Sequence, residues 1–244
     1  MSYCVGVLLE GGLIMASDSR TNAGVDVIAT YRKMNIFEKA GSYVFAVLSA
    51  GNLSFTQSVV SLVEEWAHSG PEEHDIGAAR TMYRVARIFG DAMREVQRVD
   101  GPSLAQHNTE FAATLILGGQ VKGERTRLFH LYAPGNFIEA TEDTPFFQAG
   151  EIKYGRPVFD RILKFGMPLG QAAKLVLISF DSTMRSNLSV GMPIDLLCYE
   201  KDSFAVRHLR RLTDGDGYMA GIRKQWGEGL RSVFETIAPP SLDD

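Results

Sequence analysis

The chain is poor in cysteine. Its two residues, Cys4 and Cys198, stand far apart and form no CxxC pair. That excludes a disulfide framework and fits a reducing compartment. A basic excess is also missing. The formal net charge is -4, so the chain has no electrostatic footprint for nucleic acid. The stretches RTMYRVAR and VRHLRR interleave arginine with apolar or polar residues and read as solvated faces or subunit contacts. No apolar run approaches the roughly 18 residues that a membrane span requires. The start has neither the basic region nor the long apolar region of a secretory signal, so a cytoplasmic location is expected. His68, His74, His107, His130 and His208 show no metal-site spacing. Gly11-Gly12 and Gly118-Gly119 read as turns and open no phosphate-binding loop. No metal or organic cofactor is expected.

What is present is an ordinary globular composition. Of 244 residues, 45% are hydrophobic and 22% charged, enough to bury a core without metal or disulfide staples. An apolar, β-prone run, YCVGVLL, begins at position 3, which suggests that the chain start lies inside the fold. Strands are predicted over 3–9 and 12–16, with a turn at Glu10-Gly11-Gly12. SDSRTNAGVD reads as a loop. Strand-like stretches follow over 33–37 and 42–48. Val59, Val60, Val63 and Trp66 fall at helical spacing in a helix over 54–68, and a second amphipathic helix is predicted over 76–98, ended by Asp100-Gly101-Pro102. Three short strands are read in FAATLILGG, RTRLFHLYA and NFIEAT. Helices are predicted over 151–165 and 169–184, then strands in PIDLLCYEK and FAVRHLRRL, and a last helix over 217–235. The tail APPSLDD, 238–244, is expected to be flexible. No linker or repeat appears, so one domain over 1–244 is expected. The order fits an α+β fold with two mostly antiparallel sheets covered by helices, a four-layer α/β/β/α sandwich; a three-layer α+β domain fits nearly as well.

Four places could carry chemistry. Ser2 follows Met1, and a small second residue permits removal of the first. A free Ser2 would own a hydroxyl nucleophile and an α-amine of pKa about 8, a base on the same residue. Asp18 and Arg20, in Ser17-Asp18-Ser19-Arg20, follow the second strand, where a hairpin would return the chain to its start. Lys33, in Tyr31-Arg32-Lys33-Met34, begins a β-like run and would share a face with Asn35 and Phe37. Its charge would favour alkoxide character and a neutral α-amine while Asp18 holds it. Ser49-Ala50-Gly51-Asn52 sits at a strand-to-helix junction, where backbone N–H groups can receive an oxyanion. Each place alone also has a plain reading: a common Met-Ser start, a turn-capping Asp, a solvated Lys and ordinary turn chemistry. Cys4, alternating with Tyr3 and Val5, reads as a small buried residue.

Taken together, Ser2, Ser17-Asp18-Ser19-Arg20, Lys33 and Ala50-Gly51-Asn52 resemble the N-terminal nucleophile hydrolases, specifically proteasome β-type subunits. The closer resemblance is to the bacterial Anbu, or ancestral β-subunit, branch. It rests on MSYCVGVLLEGGLIMASDSRTNAGVD, YRKM and SFDSTMRSNLSVGMPIDL and runs over essentially the whole chain. The resemblance implies the four-layer sandwich. It implies catalysis by Ser2 with Asp18, Lys33, the Gly51 N–H and a supporting Arg20. Proteasome subunits also carry a Ser, then an Asp and another Ser, late in the chain. Here Glu151 takes the first place and Ser186 and Ser189 fall near the later pair, without the Asp; Asp181 lies a helical turn away. A Ser in place of the usual Thr lacks the methyl group that stiffens χ1.

The expected function is an N-terminal serine hydrolase cleaving amide bonds of a peptide or other amide through an acyl-enzyme. The alternative is a self-assembling scaffold with little or no catalysis. The resemblance further implies a homo-oligomer, ring, helical or lock-washer-like, and ATP-grasp-like and transglutaminase-like partner proteins.

Overall fold

A computed structural model of the protein describes residues 2–23, 27–107 and 112–242. Strand β1 (Tyr3–Leu9) turns through Glu10-Gly11 into β2 (Gly12–Asp18), in antiparallel register from Cys4↔Ser17 to Leu9↔Gly12. All seven residues of each strand are buried. Both faces of this hairpin are therefore covered, which explains its near-continuous apolar run.

The next stretch departs from the sequence reading. SDSRTNAGVD is no simple loop: Arg20–Ala23 forms β3, which pairs with β4 (Val27–Thr30) as a small antiparallel ribbon. The β-branched residues Thr21, Val27, Ile28 and Thr30 suit extended backbone, a signal that the polar composition hid. Residues 24–26 lie outside the described residues. Strands β5 (Met34–Lys39) and β6 (Tyr43–Gly51) follow, and then α1 (Leu53–Ser69), capped by Asn52, whose side chain accepts from the Ser54 N–H at 3.0 Å.

Helix α2 spans Met82–Gln106 rather than 76–98. It starts late because Thr81 supplies the N-cap, its hydroxyl accepting from the Arg84 N–H at 3.1 Å. It also runs through Asp100-Gly101-Pro102. Pro102 is exposed, so the missing N–H and the displaced carbonyl at this end can be solvated rather than left unpaired in the core. Strands β7 (Ala113–Val121), β8 (Arg127–Leu131) and β9 (Phe137–Glu139) come next. A further strand, β10 (Phe146–Gly150), was not read from the sequence: FFQAG is short and does not alternate. Helix α3 covers only Arg156–Ile162, because residues 151–155 form the turn leaving β10. Then come α4 (Leu169–Ser186), β11 (Ile194–Glu200), β12 (His208–Leu212) and α5 (Gly217–Thr236). Strand β12 starts later than predicted, since Asp202 and Phe204 adopt positive φ and break the extended run before it. Residues 238–242 are exposed and form no element; the last two tail positions lie outside the described residues.

The strands form two five-stranded antiparallel sheets, ordered β10-β1-β2-β11-β12 and β5-β6-β7-β8-β9, plus the β3-β4 ribbon. Three apolar clusters bind them. Val59, Val63, Phe89 and Met93 of α1 and α2 pack on Phe45, Leu115 and Phe129 of the second sheet. Phe159, Val176, Phe180 and Met219 of α3, α4 and α5 pack on Val5, Ile14 and Leu196 of the first. Cys4, Leu8 and Met15 of the first sheet meet Leu48, Ile116 and Leu128 of the second. A Cβ added at Gly6 would come within 2.8 Å of Leu128 Cδ1 and 2.9 Å of an Ile116 methyl, so the bare glycine sets how closely the sheets approach. Among the described residues, no helix is long and apolar enough to cross a membrane, and no group of three or more His, Cys, Asp or Glu is placed to hold a metal ion.

Candidate active site

The site is built where β1 starts, β2 ends and β5 begins. Asp18, the last residue of β2, is fully buried. Its Oδ1 accepts from Lys33 Nζ at 2.7 Å and from the Tyr3 N–H at 3.0 Å. The second bond fixes the backbone of the residue next to Ser2. Burial raises the Asp18 pKa, against the opposing pull of Lys33 and the N–H groups of Tyr3 and Gly191.

Lys33 does not lie in the strand and does not share a face with Asn35 and Phe37 as part of it. It is the residue before β5, and the lead-in segment lets its side chain turn into the buried pair. It is only 3% exposed. Beyond Asp18, Lys33 Nζ donates to the Arg20 carbonyl at 2.6 Å, and the Lys33 carbonyl accepts from the Ser49 N–H at 2.9 Å. The Lys33 ammonium thus bonds the 18–20 segment, while its backbone carbonyl ties it to the end of β6. The Arg20 guanidinium donates to the Leu188 carbonyl at 3.2 Å and packs on bare Gly191, where an added Cβ would lie 2.3 Å from Cζ. Arg20 thus ties the end of β2 to the 188–191 segment.

Gly51 ends β6 with φ +115, a conformation open to glycine. A Cβ there would lie 2.3 Å from the Ala112 carbonyl oxygen. Asn52 follows as the cap of α1, so the strand-to-helix junction lies where the sequence reading put it.

The late residues divide. The Glu151 N–H donates to the Ser2 carbonyl at 2.8 Å, and its carboxylate is buried. One carboxylate oxygen accepts from Asn187 Nδ2 at 2.9 Å, the other from the Lys153 N–H at 3.3 Å. Ser189 joins through its backbone: its N–H donates to Asn187 Oδ1 at 2.9 Å. Ser186 is exposed at the last position of α4. Among the described residues, no hydrogen bond joins its side chain to Ser2, Lys33 or Glu151. Asp181 is turned elsewhere and pairs with Arg223 at 3.1 Å. Removal of Met1 concerns a residue outside the described ones.

The sequence reading missed Tyr3, Gly150, Asn187 and Gly191 as parts of the site. Gly150 has φ +83, and an added Cβ would lie 2.0 Å from the Ser2 carbonyl oxygen. Asn187, just past a helix end, carried only the generic signal of a helix terminus. Tyr3 OH donates to Ser179 Oγ at 2.9 Å and accepts from Gln148 Nε2 at 2.7 Å, which clamps the strand start from the helix side. Cys4, on the opposite face, is buried among the sheets. Its Sγ donates to the Ser49 carbonyl at 3.4 Å, and burial pushes the thiol up to about 12.

No protein-family model and no curated protein matches the chain. Solved structures do. An Anbu (Gly-1) mutant from Hyphomicrobium sp. strain MC1 is 50% identical, superposes with a TM-score of 0.93, and is matched over 99% of this chain and 100% of its own. The chain belongs to the Anbu family. Anbu (ancestral beta-subunit) from Yersinia bercovieri is 49% identical, with a TM-score of 0.92 over 98% of this chain and 99% of that one. Anbu from Pseudomonas aeruginosa, solved as a helical assembly of the Anbu complex, is 44% identical, with a TM-score of 0.91 over 99% of this chain and 100% of that one.

Proposed function

We propose that this Anbu protein is an N-terminal serine hydrolase acting on amide bonds, a proteasome-like peptidase with a four-layer α/β/β/α sandwich as its frame. Met1 is removed. The Ser2 Oγ attacks a substrate carbonyl carbon while the Ser2 α-amine takes the hydroxyl proton. The tetrahedral oxyanion lies against the Gly51 N–H. The C–N bond breaks, the ammonium returns its proton to the leaving amine, and an acyl-enzyme ester remains for water to hydrolyse. Lys33, held by Asp18, supplies positive charge beside the nucleophile, and Arg20 braces the segment that carries Asp18. Glu151, at the place of the first late Ser, holds the Ser2 carbonyl through its N–H and adds a carboxylate near the chain start. Ser189 acts through Asn187; Ser186 has the weakest geometric support.

One observation carries this reading: Asp18 Oδ1 receives both the buried Lys33 ammonium at 2.7 Å and the Tyr3 N–H at 3.0 Å. The pairing locks a cation and the start of β1 to a single oxygen. Homo-oligomer formation accompanies the activity. It is supported by the apolar residues Leu230, Val233, Phe234 and Ile237, all exposed along the end of α5, a face that a second copy can cover. The same face favours the second reading, a scaffold of this fold with little turnover. We assign the protein to the cytoplasm, with ATP-grasp-like and transglutaminase-like proteins as its companions.

The test is intact mass after incubation with a hydroxyl-reactive β-lactone. The expected result is a chain without Met1 that gains one adduct on Ser2, with no adduct on Ser2→Ala. Retained Met1, or an unlabelled chain, would overturn the hydrolase reading in favour of the scaffold.

A further inference from the structure

A cleft of about 630 Å³ opens between α4, α5 and the 153–157 segment. Five cations line it, Lys153, Arg185, Arg223, Lys224 and Arg231, against a single carboxylate, Asp181. Arg223 is paired with that carboxylate. No ion pair among the described residues joins the other four to an acidic group. In a chain of net charge -4, such crowding of one sign costs self-repulsion and concentrates a field that draws anions. Tyr154 and Trp226 add apolar surface. The volume suits a multi-residue ligand rather than a lone ion, and the mix of cations with aromatic surface suits a peptide that alternates carboxylates with backbone.

The cleft also adjoins the candidate active site. Lys153 on its rim donates its N–H to Glu151, whose own N–H donates to the Ser2 carbonyl. Ser186 lines the cleft and precedes Asn187, the side-chain partner of Glu151. We infer that the cleft binds an acidic peptide, holding Asp or Glu side chains of the substrate while Ser2 reaches its backbone. The binding stands on the cleft alone; its role in substrate selection rests on the proposed nucleophile.

Fluorescence anisotropy of a labelled hexaglutamate tests it on the assembled full chain. Wild type, Ser2→Ala and the remote control Lys122→Glu are expected to bind alike, and added salt to weaken all three. The R185E/K224E double variant is expected to lose at least about tenfold in affinity while sedimenting as wild type does. Undiminished binding by that variant, or equal binding of hexaglutamine by wild type, overturns the inference. A double variant that no longer assembles assigns the cleft to a contact between copies and overturns it as well. Wild type that binds hexaglutamate but takes no lactone on Ser2 upholds the cleft and removes the nucleophile.

Discussion

Lys33 Nζ lies 2.7 Å from Asp18 Oδ1, and the pair is sealed from water, with side-chain exposures of 4% and 0%. Removing one partner leaves the other uncompensated in a medium where charge is poorly solvated. Lys33→Ala and Asp18→Ala are each expected to lose roughly 3–5 kcal/mol in urea unfolding. The double variant is expected to lose clearly less than the sum, and all three to lose lactone labelling. Additive losses would remove the direct coupling.

Gly150 is expected to tolerate no side chain. Its φ is +83, and an added Cβ would lie 2.0 Å from the Ser2 carbonyl oxygen. The contact is to backbone, so the strand start must move. Gly150→Ala should cost about 1–3 kcal/mol and slow labelling of Ser2 more than Gly123→Ala does, since Gly123 has open space around it. A thermal melt and the labelling rate check both halves.

Glu151→Gln tests the carboxylate beside the chain start. An anion favours a protonated amine, so removing it lowers the α-amine pKa. The pH profile of Ser2 acylation should move to lower pH, with the amine neutral over a wider range. An unmoved profile would leave Glu151 a structural residue. Because Gln offers one acceptor oxygen to two donors, Asn187 Nδ2 and the Lys153 N–H, one of them is left facing an NH2 group, and a loss of about 1–3 kcal/mol in stability is also expected.

The buried thiol of Cys4 predicts alkaline lability. In the unfolded chain it loses its proton near the ordinary thiol value of about 9.0; in the fold it holds the proton to about 12. Across that window deprotonation favours the unfolded state, so stability declines as pH rises, by up to about 1.4 kcal/mol per unit. Cys198, raised to about 11, adds a shorter decline. Urea midpoints measured from pH 8 to 11 should fall less steeply in Cys4→Ala, whatever its stability at neutral pH.

Much of the frame was legible because burial leaves a periodic trace. The hairpin of β1 and β2, helix α1, helix α4 and helix α5 follow apolar spacing and turn glycines. The errors have local causes. The Asn and Gly of SDSRTNAGVD outweighed its β-branched residues and hid the β3-β4 ribbon. Pro102 was read as a helix stop although its exposed position lets α2 continue. FFQAG was too short to register as a strand, and with it went Gly150.

Local pattern and composition are enough to say which chemical groups are present and which elements carry them: a Ser near the chain start, an Asp at the end of the second strand, a Lys before the fifth and a glycine ahead of the first long helix. These follow from local propensity and composition, which depend on near neighbours. Which of these groups meet is set by the packing of distant segments. Strand β10 lies beside β1, so Glu151 reaches Ser2 across the length of the chain, and Asn187 rather than an Asp becomes its partner. Such meetings depend on sheet order and on the packing of two sheets against each other, and no local pattern encodes them.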